Sequence, residues 1–466
     1  MPENSLGANP ENASETPSGK GTARATGKSL ADRRAFLALA LTAFVVGTSE
    51  FLVVGILGPI ADGLGTGLGT VGLLVTGYAL GVSLGGPGLT ALTLRLPRRT
   101  LLLGALAAYT AASAGAAAAG NVTVLLAARC AAGLAHGVIV GAATSVAVAL
   151  AGPGRQGRAI SLVFGGISVA TVLGVPLGTL AGQWLGWRTA LASVAALGAL
   201  ALLAVRRTVP PTAAMGAANL SGQLRGALSG PVLAVLGIAV VLFTGQFTAY
   251  TYLPGYLEGV TGVPGGLVSA YLLAFGAASA VGTFAGGRLA DRRAAGTLTL
   301  GCAGLTAALL ALHLCGRSGA ATAVIVACWG LVGFGLVPAL QSRIVELAGP
   351  GGDFAATLGV SAANAGIAAG AALGGRTVTA HGVGPVVPLA AAICLAALLA
   401  VAASARLRPA VPAVPSPLPL PSPPPPSPSP SPSPSPSPSP APAPAPGTVP
   451  PAPHPRPLDQ ERTVRA

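Results

Sequence analysis

The chain has 466 residues, of which 52% are hydrophobic and only 8% charged, and its mean hydropathy is +0.72. Soluble domains carry about 25% charged residues, so a water-soluble globule of this size is excluded for want of charge to cover its surface. The net charge of +14, from 26 basic against 12 acidic residues, would suit nucleic acid if the arginines gathered on one face; they are scattered in short clusters between apolar runs, so no nucleic-acid partner is expected.

Residues 1–32 are polar, hold both lysines (Lys20 and Lys28) and read as a disordered tail. The stretch from Gly21 to Gly27-Lys28-Ser29 imitates a phosphate loop, but five residues intervene where four are required and no strand precedes it. No small-residue cleavage site follows the first apolar run, so that run is not read as a signal peptide. Apolar stretches of about 20 residues, the length a bilayer-crossing helix needs, then recur. They fall near 35–57, 68–92, 100–119, 122–149, 159–183, 187–205, 231–256, 267–289, 296–315, 319–347, 354–376 and 383–404. The expected organisation is a six-helix half at 33–205, a polar linker at 206–230, a second half at 231–405 and a disordered Pro/Ser/Ala-rich tail at 406–466. The fold class is thus an all-α membrane protein of twelve transmembrane helices in two pseudo-symmetric halves.

With the first tail inside, sixteen arginines near the apolar spans fall on the inner side, against Arg188, Arg317 and Arg376 outside. That asymmetry places both termini in the cytoplasm by the positive-inside rule. A repeat supports duplication. Leu150-Ala151-Gly152-Pro153-Gly154 recurs as Leu347-Ala348-Gly349-Pro350-Gly351, an offset of 197, and Glu50-Phe51 aligns with Gln246-Phe247 at 196. Duplicated halves joined by a linker are the organisation of an alternating-access transporter, with substrate bound between them near the midplane.

Glu50 is the one acid well inside an apolar span. A carboxylate there costs about 2.5–3.5 kcal/mol on insertion scales, so it should face the bundle interior, where desolvation favours its neutral form and lets it carry a proton. Glu50 stands about 22 Å along span one at 1.5 Å per residue. Arg129 enters span four from the other side, and in a core of ~30 Å both lie about 10 Å from the outer face, making Arg129 a candidate counter-charge. His136, two turns further along span four, titrates in the useful range and is a candidate relay. Gln246, the neutral counterpart of Glu50, joins Tyr78, Tyr250 and Asn364 as substrate-cavity candidates. Cys130, Cys302, Cys315, Cys328 and Cys394 lie in apolar runs without metal-site spacing; neither metal nor cofactor is expected.

Gly47-Thr48-Ser49-Glu50-Phe51, the span-four run from Arg129 to Gly137, and Gly174-Val175-Pro176-Leu177-Gly178 followed by Gly186-Trp187-Arg188 resemble the major facilitator superfamily. The likeness is to its twelve-span drug:proton antiporters, including bacterial efflux permeases for sugars, nucleosides and chloramphenicol, and covers about 35–405. It implies a part for Arg129 in proton coupling and an antiporter signature at Gly174, Pro176 and Gly178, although Thr179 stands where that signature ends in a second glycine. It also implies a cytoplasmic loop motif. The first-half copy, with Arg95, Arg98 and Arg99, lacks the Asp, whereas the second, with Gly287, Arg288, Asp291 and Arg292, is intact and could latch one conformation through Asp291. The expected function is efflux of small drug-like or metabolite molecules against protons, by a monomer in the plasma membrane with no enzymatic activity. The alternatives are an importer or uniporter on the same fold and, further off, an intramembrane transferase, whose chemistry would need an acid cluster that Asp62, Glu258, Asp291, Glu346 and Asp353 do not form.

Overall fold

Ala- and Leu-rich segments favour helix, and in lipid the helix also satisfies every backbone polar group within its own segment. The computed structural model describes residues 19–89, 96–151, 156–212 and 225–404, and those residues form helices joined by short turns. In chain order they are α1 (Gly19–Gly55), α2 (Leu57–Leu64), α3 (Leu68–Leu84), α4 (Arg98–Ala117), α5 (Val122–Ala151), α6 (Gln156–Val169), α7 (Val175–Trp184) and α8 (Trp187–Thr208). The second half follows with α9 (Gly230–Tyr250), α10 (Leu253–Tyr256), α11 (Gly265–Cys315), α12 (Gly319–Ala348), α13 (Gly352–His381) and α14 (Val386–Ser404). The tail at 406–466, the linker residues 213–224 and Arg95 lie outside the described residues.

Among the described residues ten stretches are long and apolar enough to cross a membrane, and α2 with α3, bent by 120°, makes an eleventh if taken as one span. α11 has 51 residues and is broken at Arg293 (φ −154, ψ 78). Unbroken it would be about 76 Å long at 1.5 Å per residue, so it holds both spans expected at 267–289 and 296–315. Exposed Leu37, Leu84, Leu200, Phe284, Leu300 and Leu399 are spread around the bundle as lipid-facing side chains, a surface that water would not tolerate.

Three expectations are corrected. α1 begins at Gly19, inside the segment read as a disordered tail; extending an existing helix through Ala, Lys and Arg is far easier than nucleating one. Span one ends at Gly55, where Ile56 (φ −117, ψ 14) turns the chain into α2. Span seven ends at Tyr250 with the same turn at Tyr252 (φ −107, ψ 12), 196 residues after Ile56.

Packing repeats as well. A Cβ on Gly133 would collide with the Tyr78 carbonyl, and one on Gly330 with the Phe275 carbonyl, 197 residues later in both partners. Gly174 lies against Thr48 as Gly370 lies against Thr244, both 196 later. Small residues therefore bring α3 onto α5 and α7 onto α1, and their counterparts do the same in the second half. The halves meet along α3 with α13, and along α7 and the turn at Ala170–Gly174 just before it with α11. Across the first seam Ser83 Oγ donates to the Ser361 carbonyl at 2.9 Å and Thr76 Oγ1 to the Ala368 carbonyl at 3.3 Å. Across the second, Gln183 Nε2 donates to the Gly265 carbonyl at 3.1 Å.

Candidate functional site

Glu50 stands on α1, five residues before its end at Gly55, on a helix that α3, α5, α6, α7 and α8 surround. Next to it, Ser49 is buried and takes both arms of Arg129 from α5. Nη1 donates to Ser49 Oγ at 2.9 Å and Nη2 to the Ser49 carbonyl at 3.1 Å. The guanidinium carbon also lies 3.9 Å from the centre of the Tyr78 ring, a cation–π contact that helps hold a buried cation in an apolar setting. Arg129 is 2% exposed, so it faces the bundle and not the headgroups. Glu50 makes no ion pair with Arg129 among the described residues, yet it is close enough to act electrostatically on Arg129, Tyr78 and Tyr250. Sequence reasoning missed Ser49 as the residue that holds Arg129, although it sits inside the pentapeptide already singled out.

The Tyr78 hydroxyl and His136 Nδ1 are 2.9 Å apart, and the hydroxyl lies 3.4 Å from the Val46 carbonyl. Tyr109, from α4, closes the same cluster with its hydroxyl 3.4 Å from the Val45 carbonyl. Ser49, Glu50, Tyr78, Tyr109, Arg129 and His136 thus form one polar nucleus inside the first half. Tyr78 belongs to this nucleus, whereas its fellow cavity candidates Gln246, Tyr250 and Asn364 lie in the second half.

Phe51 reaches from this nucleus into the other half. Its ring centre is 6.2 Å from Phe247, 6.3 Å from Tyr250 and 6.0 Å from Phe334. Tyr250 stacks on Phe275 at 4.7 Å and meets Trp329 edge-on at 6.1 Å. Within and beside this aromatic cluster several buried polar atoms have no hydrogen-bond partner among the described residues: both amide atoms of Gln246, Trp329 Nε1 and Asn364 Oδ1. Asn364 Nδ2 is spent on the Val360 carbonyl. Unpaired polar groups in an apolar interior are costly; all of these belong to the second half, with Gln246 beside Trp329 against Gly333. Trp329, Phe275 and Phe334 were not legible as members of this cluster, since in the sequence they are three aromatic residues among many apolar ones.

Gly174 and Gly178 face α1, against Thr48 and Leu52, so within the signature the glycines serve packing inside the first half. Pro176 lacks an N–H and its ring crowds the carbonyl four residues back. The helix yields there as a π-turn, Ala170–Gly174, whose Thr171 carbonyl meets Gly276 of α11 across the seam between halves. In the loop motif, Arg98 is buried at the start of α4, and Arg99 donates through Nη2 to the Arg206 carbonyl at 2.8 Å, tying α4 to the end of α8. Gly287 is half-buried, and Arg288, Asp291 and Arg292 are exposed just before the break at Arg293. Asp291 has no ion-pair partner among the described residues. No group of three or more His, Cys, Asp or Glu residues is placed to hold a metal ion among the described residues.

Residues 39–359 match the Major Facilitator Superfamily. The chain is 38% identical over 346 residues to YtbD of Bacillus subtilis, an uncharacterized MFS-type transporter, covering 73% of this chain and 87% of that one. It is 32% identical over 375 residues to the inner membrane transport protein YdhP of Escherichia coli K12, covering 80% and 96%. With a chloramphenicol resistance protein of Streptomyces lividans it shares 34% identity over 364 residues, covering 77% and 93%. Its fold resembles the crystal structure of a bacterial homologue of the human lysosomal transporter Spinster in an inward-facing, unoccupied conformation. The TM-score is 0.66 at 16% identity, covering 81% of this chain and 97% of that one. The chain is a multi-pass membrane transporter and belongs to the major facilitator superfamily.

Proposed function

We propose that the protein exports small drug-like or metabolite molecules across the plasma membrane in exchange for protons, with both termini cytoplasmic. The observation that carries this reading is the position of Glu50. The one carboxylate well inside an apolar span sits beside the Ser49–Arg129 contact and acts electrostatically on Tyr250 of the other half, so one titrating group lies between the polar nucleus and the aromatic cluster. When protonated, Glu50 is a neutral side chain that leaves Arg129 to Ser49 and Tyr78; when ionised, it gains from a closer Arg129. The two protonation states therefore favour different arrangements of α1 and α5, as a coupled transporter requires. Similarity to a chloramphenicol resistance protein supports export as the direction.

The test is drug addition to everted vesicles holding an imposed pH gradient. Chloramphenicol or another member of a neutral and cationic drug panel should dissipate the gradient in vesicles with the protein and not in vesicles without it. Drug entry that stops at equal concentrations and leaves the gradient unmoved would make the protein a uniporter.

A further inference from the structure

Away from the polar nucleus, the ends of the two halves enclose a crevice of about 420 Å³ on the face opposite the arginine clusters, within the range of drug-sized sites. Asp62 from α2 and Glu258, just after α10, both line it. They stand 196 residues apart, the offset that relates the turns at Ile56 and Tyr252, so the duplication places a carboxylate on each side of the opening. Partial burial, and then the charge of Asp62, push the Glu258 carboxyl above its usual range, so the two acids feel each other across one space. Two further acceptors point to a ligand. Thr251 lines the crevice, is itself fully buried, and its hydroxyl has no partner among the described residues. Gln183 also lines it and spends its amide N–H on Gly265, while its Oε1 is buried without a partner. The remaining wall is apolar, with Leu57, Pro59, Leu68 and the exposed Trp184.

We infer that this crevice is a binding site for organic ammonium ions, a protonated primary or secondary amine carried on an apolar body. Four oxygen acceptors around one space call for a charged group with several N–H donors, which a quaternary ammonium lacks. The volume and apolar wall call for a body that a bare metal ion does not have. Both carboxylates are exposed to solvent, so their attraction is screened and the site is weak, with half-saturation at about millimolar amine. The inference concerns binding alone and stands apart from proton coupling and transport direction.

The experiment is calorimetric titration of the full-length protein in lipid nanodiscs with 2-phenylethylammonium, with empty nanodiscs subtracted. Its controls are 2-phenylethanol, which keeps the ring without charge, and phenylethyltrimethylammonium, which keeps the charge without N–H donors. The amine should bind saturably and more tightly than either control. The double variant Asp62→Asn/Glu258→Gln should bind it at least about tenfold more weakly, and Thr251→Val should weaken the primary amine several-fold with no change for the trimethyl analogue. Should the double variant not fold, raising salt on the native protein serves instead, and must weaken the amine while leaving the alcohol unaffected. Unchanged affinity in the double variant, salt-independent amine binding, or equal binding of the alcohol would overturn the assignment. So would Mg²⁺ binding at this site with no response to amines.

Discussion

Arg129 is a charge held in an apolar interior by two hydrogen bonds to Ser49 and the face of Tyr78. A hydrogen bond to a charged group contributes about 1.5–3 kcal/mol, so Ser49→Ala should lower thermal stability by that order, measured by size-exclusion after heating. Arg129→Lys should be worse than its retained charge suggests. A lysine ammonium has no planar fork to reach both Ser49 oxygens while lying over a ring, and gradient-driven transport should fall at least about tenfold. Transport by the lysine variant at the native rate would remove Arg129 from the mechanism. Length and hydropathy made Glu50 and Arg129 legible as residues of matching depth, because depth follows from rise per residue. The Ser49 contact was not legible, since it depends on how α1 and α5 are rotated about their own axes. Gln246 and Asn364 could be named as polar residues in apolar spans, but their unpaired atoms emerge only once the neighbouring helices are in place.

At the scale of elements, close approach through glycine makes sharper predictions than hydropathy does. Gly133 and Gly330 each admit a backbone carbonyl of the neighbouring helix where a side chain would collide. Gly133→Val and Gly330→Val should each destabilise the protein by about 1–3 kcal/mol through overpacking. Gly165→Ala, at a position with open space around it, should be neutral or stabilise by roughly 0.5–1 kcal/mol. Melting temperatures of the three variants in one detergent provide the check; equal losses at Gly133 and Gly165 would contradict the packing account. The sequence repeat at 197 announced this symmetry, and the contacts that carry it fall at 197 and 196. What hydropathy could not announce were the turns at Ile56 and Tyr252, where apolar residues continue on both sides of a break in the helix. The π-turn before Pro176 was half legible. Proline requires a bend, but which carbonyl is released and which half it meets depend on the packing of α11.

For the whole molecule, two halves touch along two seams and share the aromatic cluster around Phe51, so alternating access has to open one end of those seams while the other stays closed. Arginine asymmetry is the ground for the proposed orientation. In a background with the five native cysteines replaced, Gly67→Cys should react with an impermeant thiol reagent in intact cells, and Pro211→Cys only after the cells are opened. The reverse pattern would invert the topology. The central claim is that Glu50 carries the proton that couples the two halves. Its most direct test compares native protein with Glu50→Gln in proteoliposomes, using a radiolabelled substrate found in the vesicle assay. The glutamine variant should retain substrate exchange at equilibrium, where no proton is needed, and lose accumulation driven by an imposed pH gradient. Native gradient-driven accumulation by Glu50→Gln would contradict the account.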